Sequence, residues 1–457
     1  MKLPVALLAL AAPLVLAPPA PAQDAIAITA LQRQAKGDPT AFAIVEGLTT
    51  EIGPRLAGSD AERRARDWAV KRLTELGFAN VRIEPFTLPY WERGIETAAV
   101  VAPYPQPLAI TALGNSASTG PKGLIAPITY FRSYADLIAA APGSLKGSIA
   151  FVDHAMAPTQ DGSSYGFAGP ARWTGANEAA KRGAAAIVIR SVGTDHHRNP
   201  HAGGTTFDKG VKPIPAGALS LPDADNLRRM VERGAPVTLR LTLTPTTKPS
   251  VESGNVVAEL PGSDPSLAPI LAACHLDSWD LATGAFDDAA GCAIITAAAK
   301  LAHAGTRPKR TIRLLWAGAE EVGVFGGEAY GEAHRNEPHA LAMESDFGAD
   351  RVWRVDFKLP QESMPLADRI SAALAPLGIA RGTGEAGGGA DTEAIAKARG
   401  VPMIDLQQDG SRYFDLHHTP DDTLDKIDPA QLAQNVAAWA TVFAIAGQDD
   451  RLRDSAQ

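Results

Sequence analysis

The chain is short of cysteine, with only Cys274 and Cys292 in 457 residues, so neither a cysteine-built metal cage nor a disulfide-stapled scaffold organises it. It has no long basic run, no alternation of aromatic and basic residues and no glycine loop of the phosphate-cradling kind. With a formal net charge of −8, those absences argue against a nucleic-acid partner. Long apolar runs are scarce as well. The run from Leu3 to Leu16 is broken by Pro4 and Pro13 and falls short of a bilayer span. Lys2 before it and Ala20-Pro21-Ala22 after it give Met1 to Ala22 the layout of a secretory signal peptide. The mature chain is therefore expected to be exported, periplasmic or extracellular, with no stable membrane insertion. An apolar content of 45% supports sizeable cores in a chain longer than one ordinary domain.

What is present is an ordered set of acidic and histidine motifs in the C-terminal half. The apolar run Ala268 to Cys274 reads as a buried strand and ends in Cys274-His275-Leu276-Asp277. His275 is a candidate ligand at a strand end. Asp277 shares its face and is placed to accept the other imidazole N–H. Gly284-Ala285-Phe286-Asp287-Asp288-Ala289-Ala290-Gly291 precedes an alanine-rich helical stretch. Its aspartates can cap that helix, or Asp287 can bridge two cations while Asp288 orients the backbone. A second strand-like run, Thr311 to Trp316, leads to Ala319-Glu320-Glu321-Val322-Gly323. Adjacent carboxylates there can divide the work, one binding metal and the other taking a proton from water. A third run, Ala340 to Met343, leads to Glu344-Ser345-Asp346, where either carboxylate can serve. Val401 to Leu406 leads to Tyr413-Phe414-Asp415-Leu416-His417-His418-Thr419-Pro420-Asp421-Asp422-Thr423, where His417 or His418 completes the set.

These motifs resemble the co-catalytic zinc exopeptidases, the family of the bacterial leucyl aminopeptidases and plasma glutamate carboxypeptidase (carboxypeptidase Q), over essentially the whole mature chain. The resemblance implies two Zn²⁺ ions, one held by His275 and Asp346, the other by Glu321 and His418, with Asp287 bridging both. It implies Glu320 as general base, Asp277 behind His275, and a cis bond between the paired aspartates. The family patterns HTxxDT and MESDxG select His418 over His417 and Asp346 over Glu344. Two Zn²⁺ ions against Asp287, Glu321 and Asp346 leave one positive charge, which a bridging hydroxide neutralises; water so placed can ionise near pH 7.

The resemblance also gives the architecture: an α/β zinc-exopeptidase fold with a mostly parallel central sheet flanked by helices, interrupted by a β-rich protease-associated insertion. The expected division is a signal peptide over 1–22, catalytic parts over 23–109 and 246–457, and the insertion over 110–245, with all metal ligands in the last part. Within the insertion, Asp195-His196-His197-Arg198-Asn199-Pro200-His201 looks like a metal cluster but has no strand to hold it, and reads as a solvated or cleft-facing loop. His201 is a candidate substrate contact, as are Asp391 after Gly387-Gly388-Gly389-Ala390, Arg412, and His417. Cys274 and Cys292 read as free and buried, while export also permits a disulfide between them, which sequence does not decide. The function this implies is an exopeptidase acting on dipeptides or short peptides in the carboxypeptidase Q manner. An aminopeptidase is the near alternative, and a glutaminyl cyclase or a non-catalytic binding ectodomain the distant ones. A homodimer is compatible with this reading.

Overall fold

The structure, a computed structural model, describes residues 20–453. The expected signal peptide lies outside the described residues apart from its last three, which open the helix Ala20–Ala35. Two eight-stranded sheets organise the rest. The first runs, edge to edge, Ala79–Glu92, Thr246–Leu260, Ile312–Ala317, Ile270–His275, Leu341–Glu344, Met403–Gln408, Val352–Lys358 and Ala380–Arg381. It is parallel from Ile312–Ala317 through Met403–Gln408. The long hairpin-like pair at one edge and the strand Val352–Lys358 join antiparallel, so "mostly parallel" describes the centre of the sheet rather than its edges.

The central strands are mostly apolar, with Arg313 and Asp405 among the exceptions, because both faces are covered, as parallel strands require. Alternation sends Ala272 and Cys274 to one face and Leu271 and Ala273 to the other. On the first face lies the helix Ala290–Ala304, whose many alanines let it pack close to the sheet, with Pro429–Ala446 beyond it. On the second lie Tyr330 and Ile395, from the helices Phe325–Ala333 and Glu393–Arg399. Side chains start three of the outer helices where the sequence places polar residues: Ser59 accepts from Glu62 N, Ser220 from Asp223 N, and Asp428 from Ala430 and Gln431 N.

The parallel strands all deliver their C-terminal ends to one rim. Register pairs His275 with Ala317 and Ala273 with Glu344, so the loops carrying His275, Glu320 and Asp346 leave the sheet side by side. Open α/β sheets place ligands at this rim.

The second sheet is built from residues 96–243. Its start therefore lies ahead of the expected boundary at residue 110. The incoming strand Glu96–Ala102 pairs antiparallel with the outgoing strand Thr238–Leu243, Glu96 opposite Leu243, and this pairing is invisible to local pattern. Four of its strands, Leu124–Phe131, Ile149–Val152, Ala186–Arg190 and Ala216–Leu219, form a parallel run.

The cysteines correct another expectation. Cys274 and Cys292 form a disulfide, with Cα atoms 5.1 Å apart. Cys274 ends a central strand and Cys292 lies in the first turn of the helix packed behind it, so the bond closes the 18-residue span that contains both aspartates.

Candidate metal centre

His275 leaves its strand with Nε2 3.0 Å from Asp287 Oδ1 and 3.3 Å from Asp346 Oδ1. His418, from the far end of the chain, has Nε2 2.9 Å from Glu321 Oε2 and 3.3 Å from Asp287 Oδ2. Each Nε2 thus forms a trio with two carboxylate oxygens, one more than a single linear N–H···O bond uses. Donor separations near 3.3 Å do match the edges of a tetrahedron with bonds of about 2.0–2.1 Å, the geometry of zinc with nitrogen and oxygen ligands. The two oxygens of Asp287 face different histidines, which places this carboxylate between the trios. The donor set therefore fits a pair of metal ions.

Local sequence explains how Asp287 gets there. Gly284 is left-handed at φ +57°, which turns the chain before the helix Ala290–Ala304 begins, and the Asp287–Asp288 bond is cis. Asp288 accepts from His275 N (3.1 Å) and Gly291 N (2.9 Å), joining the strand end to the helix start. Asp422 accepts from Phe286 N (2.6 Å) and Asp287 N (3.2 Å).

Asp277 behaves differently from the expectation. The acceptor nearest His275 Nδ1 is the Asp277 carbonyl at 3.1 Å, with the carboxylate at 3.6 Å. That carboxylate instead accepts from Glu320 N (3.0 Å) and Glu321 N (3.3 Å). It thereby fixes the glutamate pair to the histidine loop.

The electrostatics call for a cation. Burial, with the neighbouring carboxylates, pushes Glu320 and Glu321 well above the usual range and raises Asp346. Burial would raise Asp287 too, but its contacts with His275 and His418 hold it well below. So many carboxylates in one desolvated volume keep their charge only with positive charge among them.

The candidate substrate contacts fall in different places. Asp391 is fully buried, and burial with Glu344 and Glu320 nearby raises its carboxyl well above the ordinary value. Glu344 accepts from Thr392 N (3.0 Å), and burial with Asp346 beside it pushes it up to about 8. A cavity of about 220 Å³ opens beside Asp346, walled by Glu344, Phe347, Gly388, Gly389, Asp405 and, from the second sheet's unit, Asp161. His417 is buried, stacked on His418 with ring centroids 3.5 Å apart, and its Nε2 is 3.8 Å from Asp287 Oδ2. Arg412 points away: it clasps Asp350 through two bonds of 2.6 and 2.7 Å. Of the two readings of the loop 195–201, solvated or cleft-facing, its buried residues follow the second. His201 and Asp195 are buried, and the His201 ring is committed to Asp195 Oδ1 and His417 O, both at 2.8 Å, which leaves it no atom for a substrate.

Residues that pattern reading passed over complete the surroundings. Arg55, in Gly53-Pro54-Arg55-Leu56-Ala57-Gly58-Ser59, is fully buried and donates to the carbonyls of Leu276, Thr283 and Gly284. It thus braces the loop between His275 and Asp287. Trp279 N lies 3.3 Å from Glu321 Oε1. Arg172 reaches His418 Nδ1 (3.2 Å) and Tyr165 Oη from the second sheet's unit. Asp422 was marked only by its place in the motif Tyr413 to Thr423, and Arg55 only by the resemblance of Gly53 to Ser59 to the family's N-terminal signature; Arg172 had no local signal.

The family model for peptidase family M28 matches residues 255–443, a stretch that holds every converging donor described above. Carboxypeptidase Q of Bos taurus is 34% identical over 409 residues, covering 89% of this chain and 85% of the relative. Among solved structures, a peptidase M28 precursor from Shewanella amazonensis SB2B superposes with a TM-score of 0.91 at 43% identity, over 94% of this chain and 98% of the other. A zinc aminopeptidase from Bacillus subtilis shares the fold with a TM-score of 0.62 at 18% identity, over 88% and 93%. The chain belongs to peptidase family M28 and is a metallo-exopeptidase.

Proposed function

We propose that this protein is an exported zinc exopeptidase of the carboxypeptidase Q kind, acting on dipeptides or short peptides. The observation that carries the reading is the pair of donor trios sharing Asp287. His275 and Asp346 would hold one zinc ion, Glu321 and His418 the other, with Asp287 between them. When bound, such ions make water more acidic and polarise the scissile carbonyl.

The chain's own residues supply the rest. Asp277 fixes the Glu320 main chain, so the side chain stands beside the donors without joining either trio. A carboxylate raised by burial is a better proton acceptor than one in water. Glu320 takes a proton from the attacking water as the oxygen–carbon bond forms. It returns that proton to the amine nitrogen as the carbon–nitrogen bond breaks. The second sheet's unit, which we read as a protease-associated insertion, contributes Asp161 to the cavity wall. Export is supported by the pattern of Met1 to Ala22 and by the Cys274–Cys292 bond.

One observation favours a second reading in which a free amino end is required. The cavity beside Asp346 carries on its wall the Asp161 carboxylate, held low by its hydrogen bond with Ser163, and no basic side chain among its lining residues, which suits an ammonium group better than a carboxylate. Purified protein should be tested on an unblocked dipeptide and its N-acetylated and C-amidated forms. Cleavage of the acetylated form alone among the blocked ones supports the carboxypeptidase reading, and of the amidated form alone the aminopeptidase reading. Cleavage of only the unblocked dipeptide indicates a dipeptidase.

A further inference from the structure

The two histidines that close the trios are backed by different parts of the chain. His275 Nδ1 faces the carbonyl of Asp277, two residues away in the same loop. His418 Nδ1 faces the carbonyl of Ala202, at 3.2 Å, across the boundary between the two sheets. Ala202 N also donates to His418 O (2.8 Å), so one residue holds both the ring and the main chain of His418. That main chain is left-handed, φ +62°, a conformation a side-chain-bearing residue adopts rarely and keeps through its surroundings.

The loop presenting Ala202 is itself anchored. His201 Nδ1 donates to His417 O and Nε2 meets Asp195 Oδ1, each at 2.8 Å. Ser191 Oγ accepts from His201 N at 2.9 Å. Thr194 donates from N to Phe414 O (3.0 Å) and from Oγ1 to Asp415 Oδ1 (2.7 Å). Ala202 is fully buried and His201 nearly so. A loop that only covered the centre would not need a buried histidine bonded at both nitrogens.

The chemistry of the imidazole gives the loop a task. Ligation through Nε2 leaves the ring's proton on Nδ1, so Nδ1 must find an acceptor. The Ala202 carbonyl can only accept. Arg172 Nη1, the other neighbour of Nδ1 at 3.2 Å, can only donate and favours the opposite tautomer. We propose that Ala202, held by Asp195 and His201, is the positioning group that makes His418 a zinc ligand. The ion at His418 and Glu321 is then held more weakly when the second sheet's unit no longer supports it, whereas the ion at His275 and Asp346 has a histidine backed from its own loop. This rests on the two-zinc reading above.

The test is zinc occupancy of the full mature protein across buffered free zinc, measured by elemental mass spectrometry, for wild type, His201→Ala and Asp195→Asn. Thermal unfolding of each variant in chelator checks that it folds; Asp195→Asn keeps the size of the side chain it replaces and serves if His201→Ala does not. Both variants should weaken one ion by roughly 10- to 100-fold, the usual scale for losing such a supporting group, and leave the other at its wild-type affinity. Two ions weakened equally, or neither, overturns the proposal. A wild type that binds fewer than two zinc ions contradicts the two-zinc reading instead, so the two failures are distinguishable.

Discussion

Replacing Glu320 by alanine removes a group that, in this account, carries a proton and binds no metal. Its neighbour Glu321 lies 2.9 Å from His418 Nε2, while no donor trio includes Glu320. Its main chain is fixed from Asp277 Oδ1 at 3.0 Å, and that bond survives truncation of the side chain. Burial and the adjacent Asp346 and Glu321 carboxylates raise it well above the ordinary value, which makes it a stronger proton acceptor than a carboxylate in water. A positioned acid–base group contributes roughly 10²- to 10⁴-fold, or about 3–5 kcal/mol of barrier. Glu320→Ala should therefore lower kcat on an unblocked dipeptide by that factor, with KM and zinc content at wild-type values. The assay pairs steady-state kinetics with zinc per chain. A fall of less than tenfold refutes the role given to Glu320. Loss of zinc in this variant means that the roles of Glu320 and Glu321 are exchanged.

Other perturbations have equally definite outcomes. Arg55→Met leaves the carbonyls of Leu276, Thr283 and Gly284 without their buried donor; at about 1–3 kcal/mol per unmade bond, urea unfolding should show a loss of at least about 3 kcal/mol, and an unchanged midpoint would sink the bracing role. Cys274→Ala with Cys292→Ala opens an 18-residue span, worth about 3 kcal/mol in chain entropy, so the thermal midpoint should drop; no drop contradicts a stabilising bond. His339 is buried between Tyr330 Oη (2.9 Å) and Glu337 O (3.0 Å), and burial, with Arg313 nearby, lowers it from 6.5 to about 4. A lowered histidine adds stability that is complete above its unfolded value and lost as pH falls from 6.5 toward 4. The wild-type advantage over His339→Gln should accordingly shrink by roughly 3 kcal/mol across that window in matched urea unfolding, and a constant difference would argue against a neutral buried ring.

The central strands were legible because burial on both faces makes them apolar runs. Ile270–His275, Ile312–Ala317, Leu341–Glu344 and Met403–Gln408 all fall within a few residues of the expected ranges. His275, Glu321 and Asp346 were legible because each sits at or just past such a run, whereas Asp287 and His418 follow their strands by 12 and 10 residues and were marked by motif. The strand Thr246–Leu260 was harder: its first half, with Lys248, Pro249 and Ser250, is exposed, so it carries no apolar signal. The disulfide, the start of the second sheet at Glu96 and the docking of His201 on His417 depend on residues 18, 147 and 216 positions apart. Local periodicity contains nothing about such pairings. For the loop 195–201 the choice between solvated and cleft-facing stayed open for the same reason, since the partners of His201 and the neighbouring Thr194 come from the end of the chain.

The account stands most directly on metal-dependent peptide cleavage. Hydrolysis of an unblocked dipeptide should be measured on the purified protein as isolated, after complete chelation, and after zinc is returned. The account predicts activity, its loss to background, and its recovery as two zinc ions per chain rebind. Cleavage that persists in zinc-free protein, or zinc-loaded protein that cleaves no form of the dipeptide, would contradict it.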